Sequence, residues 1–387
     1  MSRPPLSRRL AAFGTTIFAE MTARAARVRA VNLGQGFPDY GPPPEVLAAL
    51  HEAISAGHNQ YPPGVGVPEL RGAIVRHQAR FYGLELDPDL EVLVTTGATE
   101  AVAAAILALC TSGDEVIAFE PFYDSYAATV ELAGAVLRPV RLSGPDWTFE
   151  EGELASAFNE RTRVVLVNTP HNPTGKVFSP TELGSIASLC AEHDVWAVTD
   201  DVYEHLVFDG VHLPLTTLPG MAERTVTISS AGKTFSATGW KIGWATGPGE
   251  LVRALRIVKQ FLTYASGTPF QYAVATGLDL PTEWYRASAL ALRRRRDLFC
   301  SGLEAAGLEV LPTAATYFAT VDVRSVGYDD GVAFCEDLIE RHGVAAIPTE
   351  VFYSDRRASR PYVRFAFCKS DDVLVEAVER LSRLAPS

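Results

Sequence analysis

Three short polar segments of the sequence contain residue types that could act together in nucleophilic and acid–base chemistry. They are Asn168–Gly175 (NTPHNPTG), Thr199–Tyr203 (TDDVY) and Ser229–Ser236 (SSAGKTFS). The amine of Lys233 becomes nucleophilic if its small neighbours let it be buried in an apolar site, where the neutral form is favoured. Considered alone, Lys233 is more typical of a surface loop, and Asp200 of a helix N-cap.

Other common catalytic motifs do not occur in the sequence. Gly232-Lys233-Thr234 looks like the end of a phosphate-binding P-loop, but that motif requires glycine five residues earlier, where the chain has Thr227. No G-x-G-x-x-G, H-E-x-x-H or G-x-S-x-G sequence is found. The eight histidines show no metal-ligand spacing with carboxylates or cysteines, and His171 is more typical of a structural residue. Neither an NTPase nor a metal site is therefore predicted.

Short apolar runs predict the strands that must position the three polar segments. The runs Val164–Val167 and Val195–Val198 are continuously apolar, as in strands buried on both faces of a parallel sheet. Polar residues at the ends of such strands lie where ligands bind in open α/β sheets. The predicted strands are Glu91–Thr95, Glu115–Phe119, Ala135–Val140, Arg163–Val167, Val195–Thr199, Thr225–Ser229 and Ile242–Thr246.

Amphipathic stretches between the strands predict helices that cover the sheet. Helices are predicted at Thr99–Cys110, Asp124–Leu132 and Pro180–His193, with a long one at Pro281–Ala306. Alternation of strands with helices at this spacing indicates an α/β fold with a mostly parallel sheet. We expect a large domain over residues 40–280 and a smaller domain that combines residues 1–39 with residues 281–387.

Composition excludes several classes of function. The 387-residue chain has 34 basic and 46 acidic residues, a net charge of −12, which argues against binding to nucleic acid or to a membrane surface. Five cysteines without a C-x-x-C pair favour a reducing, cytoplasmic compartment. The most apolar stretch, Ala101–Cys110, is too short to span a bilayer. The first 16 residues lack the apolar core of a signal peptide, so none is expected.

The ordered set of motifs resembles the fold-type I, class I and II aminotransferases that use pyridoxal 5'-phosphate. The spacings agree, with 28 residues from Asn172 to Asp200 and 33 from Asp200 to Lys233. The likeness extends from LGQGFPD, beginning at Leu33, to YVRFAF, beginning at Tyr362. LGQGFPD with NQYPP is similar to the kynurenine, glutamine and methionine aminotransferases and to actinobacterial N-succinyldiaminopimelate aminotransferases. The resemblance implies an aspartate-aminotransferase-like fold, whose large domain contains a seven-stranded sheet sandwiched by helices.

The resemblance also implies roles for the residues at the strand ends. Lys233 would form the Schiff base with the cofactor aldehyde and later move a proton. Asp200 would pair with the pyridinium nitrogen and keep the ring protonated. Asn172 and Tyr203 would hydrogen-bond the phenolic oxygen of the cofactor. Neighbouring Asp201 is interpreted as structural.

Further residues would hold the rest of the cofactor. Tyr123 would stack on the ring face. The backbone N–H groups of Ala98 and Thr99 would meet the phosphate at a helix N-terminus, where the helix dipole favours an anion. Ser230 would add a hydroxyl group and Lys241 a positive charge, where many relatives have arginine.

The substrate would be held by residues from both ends of the chain. Arg364 would bind the α-carboxylate with two hydrogen bonds, and Gly36 would present its backbone N–H to the same group. Phe18 would form a wall of the side-chain pocket. Residues that match Tyr61 and Tyr264 reach the neighbouring subunit's site in related enzymes, the first contacting the phosphate. A homodimer with shared sites is therefore expected.

The expected reaction moves the amino group of an L-amino acid to a 2-oxo acid, with 2-oxoglutarate as the expected acceptor. The donor is expected to be N-succinyl-LL-diaminopimelate, or an aromatic or sulfur amino acid such as kynurenine, glutamine or methionine. A distal acid would need a basic anchor, for which residues 356–360 (RRASR) contain candidates; apolar donors would contact Phe18, Tyr61 and Tyr264. Two alternatives stay open: a β-lyase on cysteine conjugates, which would use the same Lys233, and a non-catalytic regulator of the same fold.

Overall fold

The computed structural model describes residues 16–355 and 361–384. Its helices are α1 (Ile17–Val28), α2 (Pro44–Ser55), α3 (Pro68–Tyr82), α4 (Gly97–Leu109), α5 (Ser125–Ala133), α6 (Glu151–Ala157), α7 (Pro180–Glu192), α8 (Ala231–Thr234), α9 (Gly249–Leu262), α10 (Thr268–Leu278), α11 (Thr282–Ala305), α12 (Gly331–Asp337) and α13 (Asp371–Leu381). Its strands are β1 (Val31–Asn32), β2 (Val92–Thr95), β3 (Glu115–Glu120), β4 (Val136–Arg141), β5 (Thr162–Asn168), β6 (Trp196–Asp200), β7 (Thr225–Ser230), β8 (Gly243–Thr246), β9 (Glu309–Val310), β10 (Phe318–Asp322), β11 (Val344–Ala345), β12 (Ile347–Pro348) and β13 (Tyr362–Ala366).

A seven-stranded sheet in the order β2-β8-β7-β6-β5-β3-β4 forms the centre of the molecule. Strands β3 to β7 run parallel to their sheet neighbours within that group, whereas β8 is antiparallel to both β2 and β7. All seven predicted strands are present, and each bound differs from the prediction by at most one residue. The predicted α/β class and mostly parallel sheet are confirmed.

Helices cover both faces of this sheet. Val164 and Leu166 of β5 pack in one apolar cluster with residues of α4, α5 and α9. Val165 and Val167 of the same strand pack on the opposite face with residues of α6 and α7. Because side chains alternate between the faces of a strand, a strand covered on both faces must be apolar at every position.

Segments near the two ends of the chain pack against each other. Strand β1 pairs in parallel with β11, and a four-stranded antiparallel sheet has the order β12-β13-β10-β9. The long helix α11 packs against α13 beside this sheet. These contacts bring Gly34–Gly36 close to β13, since the Leu33 carbonyl accepts a hydrogen bond from the Ala366 N–H. The division into domains at residues 40 and 280 stays a prediction.

Among the described residues, no helix is both long and apolar enough to cross a membrane.

Candidate active site

The carboxyl ends of three neighbouring parallel strands meet at one cavity. Asn168 ends β5, Asp200 ends β6 and Ser230 ends β7, and all three line a cavity of about 430 Å³. The sheet therefore brings the three polar segments of the sequence together, as expected from the position of ligand sites in open α/β sheets.

Most of the predicted site residues line this cavity. Tyr61 and Tyr264 do not line it, and the loop of residues 356–360 lies outside the described residues. The predicted residues that line it are Phe18, Gly36, Ala98, Thr99, Tyr123, Asn172, Asp200, Tyr203, Ser230, Lys233, Lys241 and Arg364.

Lys233 lies in the short helix α8, immediately after β7. The pKa of its amine is lowered to about 8, chiefly by burial; the nearby cations Arg364 and Lys241 act in the same direction, and Asp200 opposes them. Its Nζ lies 5.7 Å from the ring centre of Tyr203 and 5.6 Å from that of Tyr317. Aromatic walls and partial loss of charge are the conditions that make a lysine amine nucleophilic near neutral pH.

The two carboxylate oxygens of Asp200 differ in their hydrogen bonding. Oδ2 accepts a 2.6 Å hydrogen bond from the Tyr126 hydroxyl, whereas Oδ1 is buried and has no hydrogen-bond partner in residues 16–355 and 361–384. Burial raises the pKa of Asp200 to about 6, and the bond from Tyr126 opposes that rise. An unpartnered buried carboxylate oxygen is costly, so Oδ1 is suited to a cationic N–H donor from a ligand. Tyr126 is a site residue that the sequence motifs did not reveal.

Asn168 organises the loop that carries Asn172. Its Oδ1 accepts from the Asn172 N–H at 2.7 Å, and its Nδ2 donates to the Asp200 carbonyl at 2.6 Å. The side chain of Asn172 in turn accepts from Arg364 Nη1 at 2.9 Å. Asn168 was predicted only as the first residue of the polar segment Asn168–Gly175, and its role depends on contacts that join β5 to β6.

Arg364 lies in β13, buried among aromatic rings. Its guanidinium carbon is 4.0, 4.9 and 5.4 Å from the ring centres of Phe318, Phe352 and Phe18. Nη2 donates to the Gly34 carbonyl at 3.3 Å, and Nε has no hydrogen-bond partner among the described residues. Burial lowers the pKa of Arg364 to about 10.

No carboxylate among the described residues forms an ion pair with Arg364. A buried cation without a counter-ion is unfavourable, so this guanidinium is suited to an anionic ligand. The Gly36 carbonyl nearby accepts a 2.6 Å hydrogen bond from the Tyr317 hydroxyl, which fixes the loop beside the guanidinium.

A second basic group lies at the start of α4. Gly97 has φ of +76°, and a Cβ at this position would lie 3.3 Å from Lys241 Nζ. In the part of the chain that the structure describes, the N-cap residue Thr96 makes no side-chain capping bond, so the first N–H groups of the helix are available to an anion. Glu100 does not line the cavity; its Oε2 accepts from the Thr96 N–H at 2.6 Å. The positive end of the helix dipole and Lys241 together are suited to an anion, and this part of the cavity is called the anion-binding corner.

Tyr61 and Tyr264 lie together on the surface. Their ring centres are 5.5 Å apart in an edge-to-face arrangement, and they are 83% and 47% exposed. Phe261, 81% exposed, is on the adjoining end of α9. A cluster of exposed aromatic side chains is typical of an interaction surface. Their predicted role in a neighbouring subunit stays a prediction.

The fold brings together titratable residues that are distant in sequence. The ligand atoms of His77, Glu204 and His205 lie within 4.8 Å of one another, although no sequence spacing indicated such a cluster. The two imidazoles contact each other through Nε2 atoms 2.6 Å apart, and Glu204 accepts hydrogen bonds from the hydroxyls of Tyr82 and Ser229. Burial lowers the pKa of His77 to about 3. This cluster is therefore a hydrogen-bonded part of the core.

Asp201 and His171 lie in the interior away from the cavity lining. Asp201 Oδ2 is 3.3 Å from His212 Nε2, and His171 Nδ1 is 2.8 Å from the Thr174 hydroxyl. Both placements agree with the structural interpretation of these residues.

Comparisons with known proteins agree with this geometry. The family described as "Aminotransferase class I and II" matches residues 28–381. A probable N-succinyldiaminopimelate aminotransferase from Mycobacterium tuberculosis is 50% identical, over 97% of this chain and 98% of the relative. A methionine aminotransferase from Escherichia coli is 41% identical, over 97% of each chain. The solved structure of N-succinyldiaminopimelate aminotransferase from Mycobacterium tuberculosis superposes with a TM-score of 0.96 at 50% identity, covering 98% of this chain and all of that one.

Proposed function

Because the chain belongs to the aminotransferase class I and II family and is a transaminase, we propose that it uses pyridoxal 5'-phosphate to move the amino group of an L-amino acid to a 2-oxo acid. The proposed acceptor is 2-oxoglutarate. One observation carries the proposal. A single cavity contains the amine of Lys233, the carboxylate oxygen of Asp200 that lacks a hydrogen bond, and the guanidinium of Arg364, which forms no ion pair among the described residues.

The chemistry of the cavity fits this cofactor at each end. Asp200 Oδ1 is a buried acceptor without a donor, as required beside a protonated pyridine nitrogen. The start of α4 and Lys241 provide N–H groups and positive charge for a phosphate. Between them, Tyr123 lines the cavity as a candidate for ring stacking. Bound pyridoxal phosphate would supply an electron-withdrawing ring that stabilises negative charge at the α-carbon of the donor.

Lys233 would act as the covalent anchor and as the base. A pKa of about 8 leaves a usable fraction of neutral amine near neutral pH, so Nζ can accept the proton from the α-carbon of the donor and later return it. Asp200 must be ionised to hold a proton on the ring nitrogen. Since its pKa is about 6, the carboxylate is mostly ionised at neutral pH. Asn172 and Tyr203 would donate hydrogen bonds to the phenolic oxygen.

Arg364 would orient the substrate. Its free Nε and its two terminal nitrogens can bind the α-carboxylate, with the Gly36 loop beside it. The rings of Phe18, Phe318 and Phe352 exclude water from the guanidinium, which strengthens its interaction with an anion. The same clamp would accept donor and acceptor in turn, since both carry this carboxylate.

We also propose that the active form is a cytoplasmic homodimer. The exposed pair Tyr61 and Tyr264 would enter the neighbouring subunit's site, Tyr61 toward the phosphate. The described cysteines are free thiols, which is consistent with a reducing compartment. The proposed partners are small molecules, without nucleic acid or membrane.

We propose two classes of amino donor. The 50% identity to a probable N-succinyldiaminopimelate aminotransferase supports N-succinyl-LL-diaminopimelate, and the 41% identity to a methionine aminotransferase supports a sulfur amino acid. Kynurenine and glutamine are proposed beside methionine on the sequence resemblance alone. Among the described residues, the cationic side chains of the cavity are Lys233, Lys241 and Arg364, each with a proposed role.

The test is a product assay on the protein loaded with pyridoxal phosphate. Each donor is incubated with 2-oxoglutarate, and products are quantified by mass spectrometry. The proposal predicts equal amounts of glutamate and of the 2-oxo acid derived from at least one donor, and kcat/KM values rank the donors. A cysteine conjugate that yields pyruvate and ammonia without glutamate indicates the β-lyase alternative. Cofactor binding without any product from any donor indicates the regulator.

A further inference from the structure

Lys259 is a buried lysine that forms hydrogen bonds with two loops distant from each other in sequence. It lies in α9 with 1% of its surface exposed, and its Nζ donates to the carbonyls of Gly64 at 3.2 Å and of Tyr264 at 2.7 Å. A buried ammonium group is unfavourable unless specific partners compensate for lost hydration. Here the partners are backbone carbonyls, so the charge holds backbone in place.

The two loops that Lys259 joins are those that carry Tyr61 and Tyr264. Further bonds connect the same segments: Thr268 Oγ1 donates to the Gln60 carbonyl at 2.5 Å, and Gln271 Oε1 accepts from the Val67 N–H at 2.9 Å. The two tyrosine rings meet edge to face at the exposed tip of this assembly. Their relative position therefore depends on the bonds beneath them.

Tyr264 has a backbone conformation that needs support. Its φ is +66°, in the left-handed region that residues with a Cβ rarely adopt. Such strain persists only where surrounding contacts impose it, and it is concentrated at functional sites. The carbonyl of this strained residue is the one that accepts the shorter bond from Lys259.

The same assembly reaches the anion-binding corner at the start of α4. Glu100 bonds to the hydroxyl of Thr263 and to the N–H of Thr96. The Thr96 hydroxyl lies 3.2 Å from that of Ser266. Glu100 is also the nearby carboxylate that favours the charged form of Lys259. Hydrogen bonds thus connect the loops of Tyr61 and Tyr264 with the first turn of α4.

We propose that Lys259 is a positioning residue, which holds the loops of Tyr61 and Tyr264 in the shape that lets Tyr61 contact the cofactor phosphate of the neighbouring subunit. The inference rests on the proposed function, because it assumes a bound pyridoxal phosphate and shared sites. Lys259 itself touches neither substrate nor cofactor, and it acts through the tyrosines.

The test is a double-mutant cycle on cofactor affinity. The dissociation constant of pyridoxal phosphate is measured by fluorescence quenching for wild type, K259M, Y61F and the double variant K259M/Y61F. We expect each single variant to weaken binding about tenfold and the double variant to bind no more weakly than the worse single variant. The milder variant K259Q, which keeps one N–H donor group, should fall between wild type and K259M.

Two outcomes overturn the proposal. Additive losses in the double variant would mean that Lys259 does not act through Tyr61. An unchanged dissociation constant in K259M, with only a lower Tm, would mean a merely structural lysine.

Hydrogen exchange of residues 59–67 and 263–268 in the cofactor-free protein separates this inference from the proposed function. Faster exchange in K259M than in wild type is expected whether or not the cofactor binds. Unchanged exchange rules out the positioning role. Failure of the wild type to bind pyridoxal phosphate would instead refute the proposed function.

Discussion

At the scale of single residues, the site depends on charges that burial leaves without full partners. Lys233 has a lowered pKa and Asp200 a raised one, with burial as the largest cause in both. Arg364 is buried and forms no ion pair within the part of the chain that the structure describes. Each arrangement is unfavourable by itself and becomes favourable with a ligand of complementary charge.

The Tyr126 hydroxyl should determine the pH below which kcat falls. Its hydrogen bond lowers the pKa of Asp200, so Y126F should raise that pKa above its present value of about 6. The carboxylate would then become protonated at a higher pH, and the acidic limb of the kcat profile should move upward in pH. Y285F is the control, because Tyr285 is buried but bonds the Gly277 carbonyl instead. If the acidic limb of the kcat–pH profile of Y126F coincides with that of wild type, this role is refuted.

Arg364 should contribute to substrate binding through its planar guanidinium, which can form two hydrogen bonds with one carboxylate, as well as through its charge. R364K keeps a positive charge but cannot form paired hydrogen bonds with a carboxylate. We expect kcat/KM for amino donors to fall about 10–100-fold, chiefly through KM. The control is R324K, because Arg324 pairs with Asp322 at an exposed position. An equal, small loss in both variants would contradict a substrate clamp at Arg364.

At the scale of elements, the close approach between the start of α4 and Lys241 shapes the anion-binding corner that is proposed to hold the phosphate. Gly97 and Lys241 both have positive φ, and Gly243 of β8 packs against the Gly97 backbone, where a Cβ would lie 2.6 Å from the Gly97 carbonyl carbon. Bulkier residues at Gly97 or Gly243 would separate the helix start from the lysine.

A pair of glycine variants isolates this effect. G97A places a Cβ 3.3 Å from Lys241 Nζ at φ +76°, whereas G83A, at φ +68°, adds a Cβ with no atom within 4 Å. Both should lose about 1–2 kcal/mol of unfolding free energy through backbone strain. Only G97A should also weaken pyridoxal phosphate binding, by about tenfold. Equal cofactor affinities in the two variants would contradict a phosphate site at α4.

The elements of the central sheet could be predicted from sequence because burial on both faces imposes continuous apolar runs. The strands β1, β9, β11 and β12 have two residues each, too few for any periodic pattern. Within the described residues, only α4, α5, α7 and α11 have a counterpart among the predicted helices; α9 has none, although it has a clear apolar face. Bounds of predicted helices differ by up to two residues, as at α4.

The site was predictable where it followed strand ends and a family resemblance. Tyr126 and Phe318 lacked any such signal, and Asn168 was predicted only as part of its polar segment, because the roles of all three come from contacts across elements. The positive φ of Lys241 and Tyr264 likewise follows from tertiary packing rather than from residue type.

At the scale of the whole molecule, the proposed dimer makes each site from two chains. K233A subunits lack the lysine, and Y61A subunits lack the tyrosine donated to the neighbour. A mixed dimer would contain one site with both residues intact, so random reassociation, assayed at a cofactor concentration that leaves the weakened Y61A sites largely unloaded, should restore about one quarter of wild-type activity. The assay follows activity after co-refolding equal amounts. No recovery beyond the sum of the separate variants would contradict shared sites.

The central claim is that Lys233 binds pyridoxal phosphate in this cavity, and the most direct test is an absorbance spectrum. Wild type and K233A are incubated with the cofactor, dialysed, and scanned before and after addition of an amino donor. The account predicts that wild type keeps a visible band that shifts with the donor, and that K233A loses both the retained band and the shift. A wild type that is colourless after dialysis, or a K233A variant with the same band and response, would contradict it.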